Sequence, residues 1–219
     1  MIPKALVVGD SRMRYIKEYQ INKQPVGHDE LDICPLPGAT LQDVLSLTKD
    51  ILQTSNYSLV YICGGVNNLT RMTGKSVVVN ETCLSQMPVY LISLCQIFLD
   101  EADRDFPHTK FVFCPVFSLS IEKYNCHLAK KPFIKHSKSI FQKDINETLY
   151  RFNKYMKNTV NSSSNLTTPE YDKGIVYYTP KRGVLVNHKN FWDGLHQDTT
   201  LSVKMYEEIL RCKRIDFVN

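Results

Sequence analysis

Lys4-Ala5-Leu6-Val7-Val8-Gly9-Asp10-Ser11 decides the fold. The apolar run is short, stops at a glycine and delivers a serine to whatever follows. Such a run reads as a buried strand. Arg12 to Ile21 then reads as a short helix, so Ser11 stands at a strand-to-helix turn. A side chain there leaves the carboxyl edge of a sheet, and free N–H groups at the helix start stabilise negative charge. That suits a nucleophile. It equally suits an ordinary helix cap, so the rest of the chain has to decide between the two.

Working outward, further apolar runs alternate with helical spacing. A weaker strand spans Glu30 to Cys34, followed by the rigid loop Pro35-Leu36-Pro37-Gly38. Thr40-Leu41-Gln42-Asp43 resembles a capping box with Asp in place of Glu, and Leu41, Val44, Leu45, Thr48, Ile51 and Leu52 mark one buried helical face. Tyr57 to Cys63 is apolar almost throughout, as a central parallel strand should be, and ends at Gly64-Gly65. A loop is expected through residue 80. A helix with Pro88 at a kink or at its start comes next, then a strand at Lys110 to Val116 and a stretch at 118–136 that reads as an insertion or long loop. Phe141 to Met156 predicts another amphipathic helix, Gly174 to Thr179 a fifth strand, and Leu201, Met205 and Ile209 a last helix. The pattern predicts a three-layer α/β/α sandwich around a mostly parallel five-stranded sheet, in one domain spanning 1–219. In such a sheet ligands sit beyond the carboxyl ends of the strands. Ser11, Gly38, Gly65 and Asn67 all follow expected strands.

A serine hydroxyl needs a base to take its proton and a third group to hold that base. Asp193-Gly194-Leu195-His196 supplies both, three residues apart. The tetrahedral intermediate needs donors: the N–H groups of Ser11 and Gly38 and the side-chain amide of Asn67, which donates without titrating. Each residue also has a plain structural use, as a cap, a turn or a surface pair. The joint occurrence of four separated pieces favours chemistry. His188 and Trp192 lie near the last piece as candidates to line the pocket, although Trp192 is equally at home in a core. His28-Asp29-Glu30 reads as an exposed turn, and His108, His127 and His136 as surface residues.

Taken together, the chain resembles the SGNH or GDSL-like serine hydrolases. Gly9-Asp10-Ser11 matches their first block, Gly38 the second, Gly65-Val66-Asn67-Asn68 the third and Asp193-Gly194-Leu195-His196 the last. The match runs over most of the chain and departs in two places: Arg12 stands where the first block usually has Leu, and Asn68 where the third usually has Asp. The resemblance implies a flavodoxin-like fold and hydrolysis of a carboxylic ester or thioester without metal or cofactor. The implied roles are Ser11 as nucleophile, His196 as base, Asp193 as its orienting carboxylate, and Gly38 and Asn67 in the oxyanion hole.

Composition limits the alternatives. The chain has 219 residues, 43% hydrophobic and 22% charged, which is ordinary for a globular protein. No basic leader with a sustained apolar run opens it and no apolar stretch is long enough to span a bilayer, so a cytoplasmic protein is expected. The seven cysteines are scattered and include no Cys-x-x-Cys pair, which speaks for reduced thiols and against a zinc cage. The net charge of +5 is mild but uneven: Lys123, Lys130, Lys131, Lys135, Lys138 and Lys143 crowd one segment with His127 and His136. That segment is either a solvated surface or a patch for nucleic acid or another phosphate-bearing partner. The second reading would make the chain a catalytically weak or silent module of the same fold, of the kind found in viral or mobile-element proteins.

Overall fold

A computed structural model describes residues 4–23, 31–80, 84–132, 141–181 and 183–218. Four parallel strands form the central sheet in the order β2-β1-β3-β6: β1 (Ala5–Gly9), β2 (Leu31–Pro35), β3 (Leu59–Cys63) and β6 (Lys110–Phe113). Alternation along each strand divides the core in two. Leu6, Val8, Val60, Ile62, Phe111 and Phe113 point to one face, packing with α2 (Leu41–Thr54), α3 (Met87–Asp105) and α5 (Gln142–Tyr155). Ala5, Val7, Leu59, Tyr61, Cys63 and Val112 point to the other, against α1 (Arg12–Lys23) and α6 (Thr199–Val218). Buried apolar residues on both faces are what a parallel sheet covered by helices requires.

Local signals fix the helix ends. Thr40 and Asp43 form the capping box at the start of α2: the Thr40 N–H donates to Asp43 Oδ2 at 2.8 Å, and the Asp43 N–H reaches back to Thr40 Oγ1. Pro88 lies in the first turn of α3, where its missing N–H costs nothing.

The sheet is narrower than expected. Val176–Thr179 is not a fifth parallel strand; as β7 it pairs antiparallel with β8 (Gly183–Val186) in a separate hairpin. Tyr177 and Tyr178 are exposed, whereas a central strand would have to bury them. The free edge of β6 is instead met by side chains. Asn161 accepts the Phe113 N–H at 3.0 Å and donates to the Phe113 carbonyl at 2.9 Å, and Asn153 treats Val116 in the same two-way fashion. The Asn161 amide supplies the bonds a neighbouring strand would have made, and the Asn153 amide pairs the backbone of the loop that follows. A π-helical turn at Met156–Asn161, continuing α5, delivers Asn161 to that edge.

Two further expectations are corrected. The loop expected up to residue 80 contains the antiparallel hairpin β4 (Thr70–Thr73) and β5 (Ser76–Val79). The stretch read as an insertion holds α4 (Ile121–Leu128), capped by Ser120. Asn125 of α4 accepts the Val77 N–H at 2.7 Å and donates to the Val77 carbonyl at 2.8 Å, which locks hairpin and helix together. His28-Asp29-Glu30, Cys83, Lys135, His136 and Lys138 lie outside the described residues. The six described cysteines are free thiols. Among the described residues no helix is long and apolar enough to cross a membrane.

Candidate active site

The turn that carries Ser11 is held by a buried ion pair. Asp10 and Arg12 flank Ser11, and their side chains are 1% and 4% exposed. The Arg12 guanidinium donates to both Asp10 oxygens, at 2.9 and 2.5 Å, and to the Phe117 carbonyl at 2.9 Å. Asp10 Oδ1 also accepts the Arg12 main-chain N–H at 3.1 Å. The residue that replaces the familiar Leu therefore ties the turn to the loop after β6. Burying two charges is tolerated here because each has several hydrogen-bond partners.

His196 arrives on a separate loop between β8 and α6. Asp193 is 2% exposed, and its Oδ1 accepts the N–H groups of Leu195 at 2.9 Å and His196 at 2.7 Å. Its Oδ2 lies 2.6 Å from His196 Nδ1. Burial alone would raise the Asp193 pKa, but the His196 side chain, these two N–H groups and the neighbouring charge outweigh it, and the carboxyl is held below its ordinary value. His196 Nε2 in turn lies 3.1 Å from Ser11 Oγ. The two loops are joined directly behind this chain: Gln197 Nε2 donates to the Arg12 carbonyl at 2.6 Å. Gly194 makes the His loop tight. Its φ is +93°, and it accepts the Ser120 N–H at 2.7 Å.

The expected oxyanion donors face the same cleft. It holds about 580 Å³ and is lined by Ser11, Gly38, Asn67 and His196, with Thr70, Arg71, Met72 and Val77 of the hairpin on one wall. The Ser11 and Gly38 N–H groups make no hydrogen bond among the described residues. Gly38 has φ +77°. Asn67 gives one amide hydrogen to the Ala39 carbonyl at 2.9 Å and keeps the other. Asn68, at the place of the usual Asp, accepts the Leu41 N–H at 2.8 Å and so supports the start of α2.

The surroundings of His196 were only partly legible. Tyr15 lies 5.1 Å from its ring, ring centroid to centroid, and Tyr124 lies 6.1 Å away. Trp192 stacks on it at 5.9 Å with the planes 22° apart. Trp192 is 48% exposed, so it is not core, and it lines a neighbouring hollow with Tyr15 and not the cleft that holds Ser11. His188 takes a different place, with Nε2 3.1 Å from the Ser118 carbonyl. Tyr15 carries a signal that reasoning from sequence passed over: it lies four residues after Ser11 and so shares its helix face. Nothing in the local pattern around Tyr124, on a helix read as loop, points to the site. In the basic segment, Lys123 Nζ donates to the Phe191 carbonyl, His127 meets Trp192 edge-on at 4.7 Å and Lys143 pairs with Glu147 at 3.8 Å.

No protein-family model matches the sequence, and a search of curated proteins finds no match. Solved structures do match. A GDSL-like lipase from Bacteroides thetaiotaomicron VPI-5482 superposes with a TM-score of 0.62 at 11% identity, over 97% of this chain and 88% of that one. A lipase/acylhydrolase from Enterococcus faecalis gives 0.54 at 15% identity, over 95% and 94%. The acetyl xylan esterase AlAXEase gives 0.57 at 14%, over 95% and 98%. The chain has the fold of the GDSL-type hydrolases. At these identities the likeness is one of fold.

Proposed function

We propose that the chain is a serine esterase. The observation that carries this reading is the continuous hydrogen-bonded path from Ser11 Oγ through His196 to Asp193, at 3.1 and 2.6 Å, opening onto a cleft that also receives Gly38 and Asn67. Asp193 holds the imidazole with its proton on Nδ1, so Nε2 presents a lone pair to the serine hydroxyl. Ser11 Oγ attacks the acyl carbon of an ester while its proton passes to Nε2. The carbonyl oxygen becomes an oxyanion among the N–H groups of Ser11 and Gly38 and the free amide hydrogen of Asn67. Collapse of the tetrahedral intermediate breaks the acyl–oxygen bond, and His196 returns the proton to the leaving alcohol. Water then repeats the sequence on the acyl-serine and releases the acid.

The fold shared with lipases, acylhydrolases and an acetyl xylan esterase supports an ester as the substrate class. Hydrolysis of an activated acetyl ester, compared between the wild type and Ser11→Ala, tests the reading. A fall of about 10³-fold or more is expected. Equal rates would overturn it.

A further inference from the structure

Tyr15 also borders a second hollow, of about 590 Å³, between α1 and the start of α6. From its lining we infer that this hollow binds an organic cation of the alkylammonium class. Three aromatic side chains, Tyr15, Tyr19 and Trp192, line it together with two carboxylates, Glu18 and Asp198, and with Gln197. Among the described residues no lysine or arginine lines it. Aromatic faces attract a cation through their quadrupole, tryptophan most strongly, and desolvation on an aromatic wall strengthens the attraction.

The charges agree with this assignment. Glu18 Oε1 accepts from Arg14 Nε at 2.8 Å, but that pair is exposed and Arg14 lines the neighbouring cleft. Exposed pairs of this kind are weak, so a cation in the hollow can compete with Arg14 for Glu18. Asp198 Oδ1 caps α6 through the Leu201 N–H at 2.8 Å, which offsets the positive end of that helix. Gln197 is 1% exposed, and its Nε2 is taken up by the Arg12 carbonyl. Because Tyr15 and Trp192 both touch the His196 ring, a cation seated there lies one ring from that residue. The assignment does not depend on the chain being a hydrolase.

Trp192 is the protein's single tryptophan and therefore a direct reporter. Choline is titrated into the full chain at constant ionic strength while tryptophan fluorescence is followed. Its neutral carbon isostere, with a quaternary carbon in place of nitrogen, serves as the comparison. The expected result is a saturable change with choline and binding of the isostere at least about fivefold weaker. Tyr19→Ala and Glu18→Gln should each weaken choline by about fivefold, with circular dichroism unchanged. No saturable change with choline would overturn the proposal. So would equal binding of the isostere, or choline affinity unaltered in both variants.

Discussion

The Asp193 carboxylate holds His196 twice, through Oδ2 on ring Nδ1 at 2.6 Å and through Oδ1 on the residue's own main-chain N–H at 2.7 Å. The same group thus sets both the course of the loop and the tautomer of the ring. Asp193→Asn separates the two tasks. An asparagine oxygen still accepts the Leu195 and His196 N–H groups, but its amide would face Nδ1 with a donor and favour the tautomer whose proton sits on Nε2. We expect the fold to survive and kcat to fall by about 10³- to 10⁴-fold. Thermal unfolding and steady-state kinetics on an acetyl ester check the two halves separately.

The Asp10–Arg12 pair makes a prediction about stability. Arg12→Leu, which restores the residue usual in the family block, leaves the Asp10 carboxylate buried without its guanidinium. Losing one partner of such a pair costs about 3–5 kcal/mol. The double variant Asp10→Asn with Arg12→Leu should be less destabilised than Arg12→Leu alone, because no charge is then stranded. Urea unfolding of the three proteins measures the difference.

His188 predicts how stability follows pH. Burial is the main cause that lowers its pKa, from 6.5 to about 4. The neutral ring donates from Nε2 to the Ser118 carbonyl. As pH falls below about 6.5, the unfolded chain takes up this proton and the folded chain does not, so the His188 contribution to stability drops until the pH reaches about 4 and changes no further below it. At about pH 5 the loss is roughly 2 kcal/mol relative to neutral pH. His188→Gln should remove that component, seen as a flatter dependence of the urea midpoint on pH.

Gly194 is required by geometry. A Cβ at this position would lie 2.8 Å from Lys123 Cβ and 2.9 Å from the Ser120 carbonyl oxygen, on a backbone at φ +93°. Gly194→Ala should destabilise the chain by about 2 kcal/mol or more. Since the strain falls between Asp193 and His196, activity should drop as well. Differential scanning calorimetry and ester turnover report the two effects.

Much of this architecture can be read before any coordinates, and the reasons are physical. Val7-Val8 and Leu59-Val60-Tyr61-Ile62 are apolar on both faces, so they had to be covered on both sides. Thr40 and Asp43 announce a helix start through chemistry local to four residues. The site pieces are legible because each sits directly after a strand or within a tight loop. What escaped depends on contacts remote in sequence. Val176-Tyr177-Tyr178-Thr179 has strand composition, but which strand it pairs with depends on Asn161 already occupying the β6 edge at Phe113. Helix α4 is short, and its place follows from Asn125 on Val77 and from Ser120 on Gly194. The β4–β5 hairpin did carry a signal, since Gly74-Lys75 is a two-residue turn between β-prone segments.

The central claim is that Ser11 is an activated nucleophile. A fluorophosphonate probe tests it without any guess about substrate, because such probes phosphonylate activated serines. The account predicts labelling of the wild type, with the adduct located on Ser11 by peptide mass spectrometry, and loss of labelling in both Ser11→Ala and His196→Gln. A folded wild type that stays unlabelled, or an adduct on another residue that persists in Ser11→Ala, would contradict it.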